Sequence, residues 1–165
     1  MMVGESDILN AGILIVDDQE SNVMLLAQML NDAGYVHVDV ESADGIGVVH
    51  DLNRLPWPWA DDSVGLIVAE DVGEHLVIDL IQFCDEAWRV LMPGGELFIR
   101  TPHHRGDSSW IDPTHRWHLN EQAFQYLDPE TNWGRLYPQY TKRKWQILSL
   151  GVRGPQNIHA LLTPR

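Results

Sequence analysis

The segment Gly12-Ile13-Leu14-Ile15-Val16 is an unbroken apolar run that stops at Asp17-Asp18. A strand with one wet face alternates apolar and polar residues, whereas a strand buried on both faces does not. The run therefore predicts a central strand of a parallel sheet, and the rest of the chain has to supply its neighbours and the helices that cover it. Val23, Leu26, Ala27 and Leu30 recur at helical spacing, with Asp18 or Ser21 available as a cap and Gly34 as a stop. Residues 36–40 alternate as a second strand, residues 47–50 form a short third that leads into Asp51, and residues 66–69 a fourth. Val77, Leu80, Ile81, Cys84, Trp88 and Leu91 trace one face of a helix between His75 and Leu91, which Pro93-Gly94-Gly95 ends. Leu97-Phe98-Ile99 is a fifth strand. Residues 145–150 and 157–162 flank Gly151-Val152-Arg153-Gly154-Pro155, a hairpin signal. The pattern predicts an α/β fold, Rossmann-like and doubly wound, with a mostly parallel sheet closed by a C-terminal antiparallel hairpin.

Two segments resist regular structure. Leu55-Pro56-Trp57-Pro58-Trp59 contains two prolines, which remove backbone donors, so it reads as a packed loop. Residues 103–140 are dense in aromatic, proline and turn residues and predict a long ordered loop with a short helix over 121–126; such loops often cover a site.

The length suits one domain over residues 1–165. With 24 acidic against 11 basic residues the net charge is -13, a surface that repels phosphate backbones and anionic lipid, so nucleic acid is not an expected partner. No apolar run reaches the roughly 18 residues that span a bilayer, and the first ten residues lack a secretory pattern. The single Cys84 falls on the apolar helical face as a core residue and fits a reducing cytoplasm.

A family resemblance rests on several stretches in order: Val38-Asp39-Val40-Glu41; His50-Asp51-Leu52-Asn53-Arg54-Leu55-Pro56-Trp57-Pro58; Asp62 to Asp71; Glu74-His75-Leu76; Glu86 to Leu97; and Asp112-Pro113-Thr114-His115-Arg116. Together, from about residue 35 to 165, they resemble the short class I S-adenosylmethionine-dependent methyltransferases. The resemblance implies that Asp39 accepts hydrogen bonds from the cofactor ribose and that Asp51 and Leu52 line the adenine. It further implies that Ala69 and Glu70 face the methionine part and that His75 contacts cofactor or substrate. The alternatives are a strand-end turn for Asp39, a capped turn for Asp51 and a structural role for His75. The expected acceptor is a small molecule or glycan-type compound with an oxygen or nitrogen nucleophile.

In that family a glycine-rich loop follows the first strand. Here Asp17-Asp18-Gln19-Glu20 follows, and no glycine occurs between Gly12 and Gly34. Residues 12–35 instead resemble the start of a response-regulator receiver domain, whose paired acids bind magnesium. The two resemblances suggest a chimera joined near Ala33-Gly34-Tyr35. The first strand should neighbour the fourth, so Asp17, Asp18 and Glu70 are candidate magnesium ligands, the alternative being acids that face solvent. Asp39 and Asp51 favour an enzyme, whereas the missing glycines favour a non-catalytic binding module.

His103, His104, Asp112, His115 and His118 cluster in the long loop, and imidazole and carboxylate are good zinc or iron ligands, but the spacing matches no standard metal site. They are expected to pack the loop or line the substrate pocket, with Thr101, His103 and His115 as acceptor contacts and His115 as a base.

Overall fold

A computed structural model of the chain describes residues 12–17, 35–39, 48–154 and 156–165. Its seven strands form one sheet. They are β1 (Gly12–Asp17), β2 (Tyr35–Asp39), β3 (Val48–Val49), β4 (Val64–Glu70), β5 (Leu91–Pro102), β6 (Trp145–Arg153) and β7 (Asn157–Pro164), in the order β3-β2-β1-β4-β5-β7-β6. β1 lies parallel between β2 and β4, as its unbroken apolar run requires, with Ile13 opposite Tyr35 and Leu66. β5 extends the parallel set from β4, and β7 then runs antiparallel to both β5 and β6. The hairpin expected from the sequence is thus present, and the fold is α/β and Rossmann-like. The helix expected at Val23 to Leu30 lies outside the described residues, as do Asp18 and the junction at Ala33-Gly34.

Helix α1 (Leu80–Val90) joins β4 to β5 and is shorter than its periodicity suggests. Asp79 and Gln82 close a reciprocal capping box, with Asp79 Oδ1 accepting from the Gln82 amide at 2.8 Å. Upstream, Asn53 Oδ1 accepts from the amides of Val77 (2.6 Å) and Ile78 (3.3 Å), which holds those residues out of the helix and leaves Val77 exposed. The buried face is Leu80, Phe83, Cys84, Glu86, Ala87 and Val90, so the sheet is met by a stripe rotated from the expected one. Cys84 is fully buried, which pushes its thiol well above the ordinary range, and it serves the core as expected.

Pro93-Gly94-Gly95 does not end the helix. The backbone turns extended at Leu91, and the Pro-Gly-Gly segment is an irregularity inside β5, where pairing jumps from Val64 with Leu91 to Leu66 with Glu96. Gly94 adopts φ +82°, and a Cβ on Gly95 would sit 3.0 Å from the Gly65 carbonyl, so both positions favour glycine.

One buried ion pair fastens the proline-tryptophan loop to α1. Glu86 Oε1 accepts from the Trp57 amide at 2.7 Å and from Arg89 Nε at 3.0 Å and Nη2 at 2.5 Å. Arg89 in turn donates to the carbonyls of Trp57 (3.1 Å) and Trp59 (2.8 Å) and to Asp61 (2.7 Å). The ring of Trp57 packs edge-on against Phe83, and its indole N–H donates to the Leu52 carbonyl at 3.1 Å. Among the described residues no helix is long and apolar enough to cross a membrane.

Removing Arg89 strands the Glu86 carboxylate in a site where its side chain is 11% exposed. Arg89→Met is expected to lower unfolding free energy by about 3–5 kcal/mol, measured by urea denaturation; a change within 0.5 kcal/mol or so would show the clasp to be dispensable.

Candidate active site

Parallel strands deliver their carboxyl ends to one edge, and this is where ligands bind in open α/β sheets. Register sets Asp17 of β1 beside Glu70 of β4, Val16 beside Ala69, and Asp39 of β2 beside Val49 of β3. Of the residues assigned from the sequence to the cofactor, Asp39, Ala69 and Glu70 therefore lie at strand ends along a single border. Ala69 is buried. Leu52 is buried too, and its carbonyl is held by Trp57.

Asp51 has a structural duty. Its Oδ1 accepts from the Asn53 amide at 3.0 Å and from the Asn53 side chain at 2.9 Å, while Arg54 Nε stands 3.5 Å from Oδ2. The bonds from Asn53, chiefly the backbone one, hold its carboxyl below the ordinary range. This is the capped turn that the sequence left open as an alternative, and it orients Asn53 toward the amides of Val77 and Ile78.

At the end of β4 the chain turns sharply. Asp71 takes φ 50°, a left-handed conformation that aspartate tolerates better than most residues. Its amide donates to the Arg100 carbonyl at 2.9 Å, and its carboxylate pairs with the Arg100 guanidinium. The same guanidinium stands 3.7 Å from Glu70 Oε2. Arginine therefore already neutralises the acidic end of β4, and magnesium at Asp17, Asp18 and Glu70 has no support here.

Residues Gly73–His75 form a single 3-10 turn. Glu74 is 1% exposed, and its Oε2 accepts from Thr101 Oγ1 of β5 at 2.9 Å. Its backbone carbonyl accepts from the amides of Arg116 (2.5 Å) and Trp117 (3.3 Å). Trp117 lies so close over Gly73 that a Cβ there would meet its ring at 2.6 Å. These contacts pull the long loop back onto the turn and bring His115 against His75, ring centroids 4.6 Å apart. Burial, and then the neighbouring His115, hold His75 below the ordinary imidazole range, against the pull of Asp112 and Asp71.

Hydrogen bonding fixes both rings. Thr114 Oγ1 gives its one proton to Asp112 Oδ1 at 2.6 Å, so His75 Nδ1, 2.8 Å from Thr114 Oγ1, must donate. His115 Nδ1 lies 3.3 Å from the Ser109 carbonyl, which can only accept. In its neutral form each ring thus carries its proton on Nδ1 and its lone pair on Nε2.

A cavity of about 570 Å³ opens at this place. Its lining includes Asp71, Glu74, Arg105, Asp107, His115 and Asn157, drawn from the ends of β4 and β7 and from the long loop. His103 is not in the lining: it is buried, its Nε2 3.3 Å from Glu121 and its Nδ1 accepting from the Arg105 amide at 3.2 Å. His118 stacks on Trp110 at 3.7 Å and meets Ser109 Oγ at 3.0 Å. Trp117 belongs to the core, whereas Trp110 is exposed. The expected short helix is a 3-10 segment, Glu121–Leu127. Glu74 and Asp71 received no role from the sequence, although both stand in the quoted stretches; the signal was the acid immediately before His75.

Comparison with known proteins decides the ancestry. The family described as "Methyltransferase domain" matches residues 10–99, more than half of the chain. The chain belongs to this methyltransferase domain family. The matched span includes residues 12–35, and nothing in the comparisons supports the receiver resemblance or a junction near residue 34. A protein of Mycolicibacterium smegmatis named as an S-adenosylmethionine-dependent methyltransferase is 36% identical over 92 residues, 53% of this chain and 32% of that one. The chain thus spans about a third of that relative. Among solved structures, a SAM-dependent methyltransferase from Archaeoglobus fulgidus superposes with TM-score 0.66 at 12% identity, covering 93% of this chain and 86% of its own. The methyltransferase CalH, crystallised with SAH, gives 0.60 at 15%, covering 97% and 53%. At these identities the structures show the fold.

The ring assignments are open to measurement. ¹⁵N NMR of the metal-free protein at neutral pH is expected to find His75 and His115 as Nδ1–H tautomers; Nε2–H at either ring contradicts the hydrogen-bond chains.

Proposed function

We propose that this domain binds S-adenosylmethionine along the ends of β1 to β4 and methylates a small acceptor held in the cavity. The single observation that carries the reading is a polar cavity at the carboxyl ends of the sheet in a chain of this family. The residues fit the cofactor at its adenosine side: Asp39 ends β2 as an acceptor-only group suited to two ribose hydroxyls, and buried Leu52 beside Asp51 offers an apolar wall for adenine. Small, buried Ala69 leaves room at the end of β4. We further read the sheet as doubly wound.

When bound, S-adenosylmethionine supplies a methyl carbon on a positively charged sulfur, and the acceptor atom takes that carbon while the carbon–sulfur electron pair stays on sulfur. The chain's own residues position the acceptor. Glu74, Asp71 and Asp107 face it with carboxylates, Arg105 with a guanidinium and Asn157 with an amide, a lining suited to a hydroxyl-rich, glycan-type molecule. His115 at the wall has an Nε2 lone pair able to receive the hydroxyl proton. His103, turned to Glu121, steadies the loop beneath. Such a reaction depends mainly on alignment, which the Glu74 contacts to Thr101 and to the loop amides provide.

A second reading, a non-catalytic binding module, is favoured by the acidic, glycine-free run Asp17-Asp18-Gln19-Glu20, which repels the methionine carboxylate. Calorimetry separates the two. The methyltransferase reading expects S-adenosylmethionine and S-adenosylhomocysteine to bind at micromolar concentrations, and Asp39→Ala to weaken both by about 10- to 150-fold, the range for hydrogen bonds to a charged group. Absence of binding at millimolar concentrations leaves the module.

A further inference from the structure

Glu74, His75 and His115 each bring a ligand-type atom within 4.8 Å of the other two. One carboxylate and two imidazoles form a donor set that nitrogen-preferring divalent ions take, and three protein ligands with a further open position are the arrangement of catalytic zinc. Three features of the surroundings suit the same set.

The first is the orientation of the rings. Metal-bound histidines hold the nitrogen that does not bind the ion in a hydrogen bond to a carboxylate, a carbonyl or a similar acceptor. Here His75 Nδ1 is tied through Thr114 to Asp112, and His115 Nδ1 to the Ser109 carbonyl, the arrangement that suits an Nε2 ligand in both rings. The second is Glu74. Its carboxylate is 1% exposed, and its Oε2 is positioned by Thr101, as a ligand carboxylate is positioned. The third is location and charge. Glu74 and His115 both border the cavity, so an ion between them meets whatever fills it, and Glu74 and Asp107 line that space together with Asp71, which Arg100 pairs.

We propose that Glu74, His75 and His115 form a zinc-class divalent metal site whose open position faces the cavity and takes an oxygen of the acceptor. The binding claim stands by itself; its catalytic meaning rests on the methyltransferase reading. With the ion bound, His115 gives its Nε2 lone pair to the metal, and the base role passes to the ion. The coordinated acceptor hydroxyl loses its proton to bulk water, its oxygen forms the bond to the methyl carbon, and the carbon–sulfur bond breaks with its pair left on sulfur. The acceptor class narrows accordingly to alcohols and sugar hydroxyls, which need such activation, and away from amines, which do not.

The test uses the untagged, metal-stripped chain titrated with cobalt(II), whose visible absorption reports coordination, and then with zinc in competition. One equivalent with an intense low-coordinate spectrum, displaced by zinc, is expected. His115→Gln and His75→Gln should abolish it, Thr114→Val should weaken it 10- to 100-fold, and His118→Gln should leave it intact. Because a variant can misfold, the native protein carries its own control: zinc should move the Nε2 ¹⁵N resonances of both His75 and His115 and leave those of His118 in place. No cobalt spectrum, binding unchanged in folded His115→Gln, or shifts confined to other histidines overturns the site. S-adenosylmethionine affinity measured on the same samples with and without chelator keeps the two readings apart. Cofactor binding without metal binding removes only this site, and metal binding without cofactor binding removes only the methyl-transfer reading.

Discussion

Parallel pairing through β1, β2, β4 and β5 governs what this chain can do. It sends each carboxyl end to the same border, so residues far apart in sequence, Asp17, Asp39, Glu70 and Arg100 among them, become neighbours along one edge. The pairing order reverses direction at β1, whose two sides carry β2 and β4, and such a reversal opens a crevice at the strand ends. β7 enters from the opposite direction, so its first residue, Asn157, arrives at the same border and closes the cavity.

An edge of this kind is useful only if the loops above it are held. Two buried carboxylates do that, one within α1 and one in the turn before it. Glu86, with Arg89, grips the backbone at Trp57 and so fixes the Asp51-Leu52 segment beneath the Trp57 indole. Glu74 takes Thr101 with its side chain and the loop amides of Arg116 and Trp117 with its carbonyl, which fixes His115. In both cases a short stretch of backbone is secured by one acid rather than by secondary structure. The site therefore depends on buried polar groups whose partners all have to be present. Arg100 has the complementary duty at the end of β4, where it offsets Glu70 and Asp71 and keeps two adjacent acids at one strand end compatible with folding.

Much of the scaffold was legible in the chain. The apolar run at Ile13, the alternation near Val38 and the glycine-rich turn between residues 145–150 and 157–162 have unambiguous periods, and each formed the strand or hairpin expected of it. The α1 stripe was displaced because periodicity cannot see that Asn53, over twenty residues away, withholds Val77 and Ile78 from the helix. Pro93-Gly94-Gly95 looked like a helix stop because proline and glycine break local structure in general; an irregularity within β5 uses the same residues and differs only in the partner strand. Among the histidines, composition gave a cluster but not its sorting. His103 turns to Glu121 and His118 to Trp110, whereas His115 reaches the cavity.

The sequence by itself determined the strand order's raw material, the family and the residue types at the strand ends, because burial on one or both faces and the family's stretches are written in local pattern. Tertiary structure alone decided that Asp51 caps a turn, that Arg100 occupies the acidic strand end, and that Glu74, His75 and His115 converge. Those outcomes depend on contacts between segments separated by tens of residues, where a few ångströms of backbone placement decide which partner a carboxylate or an imidazole finds.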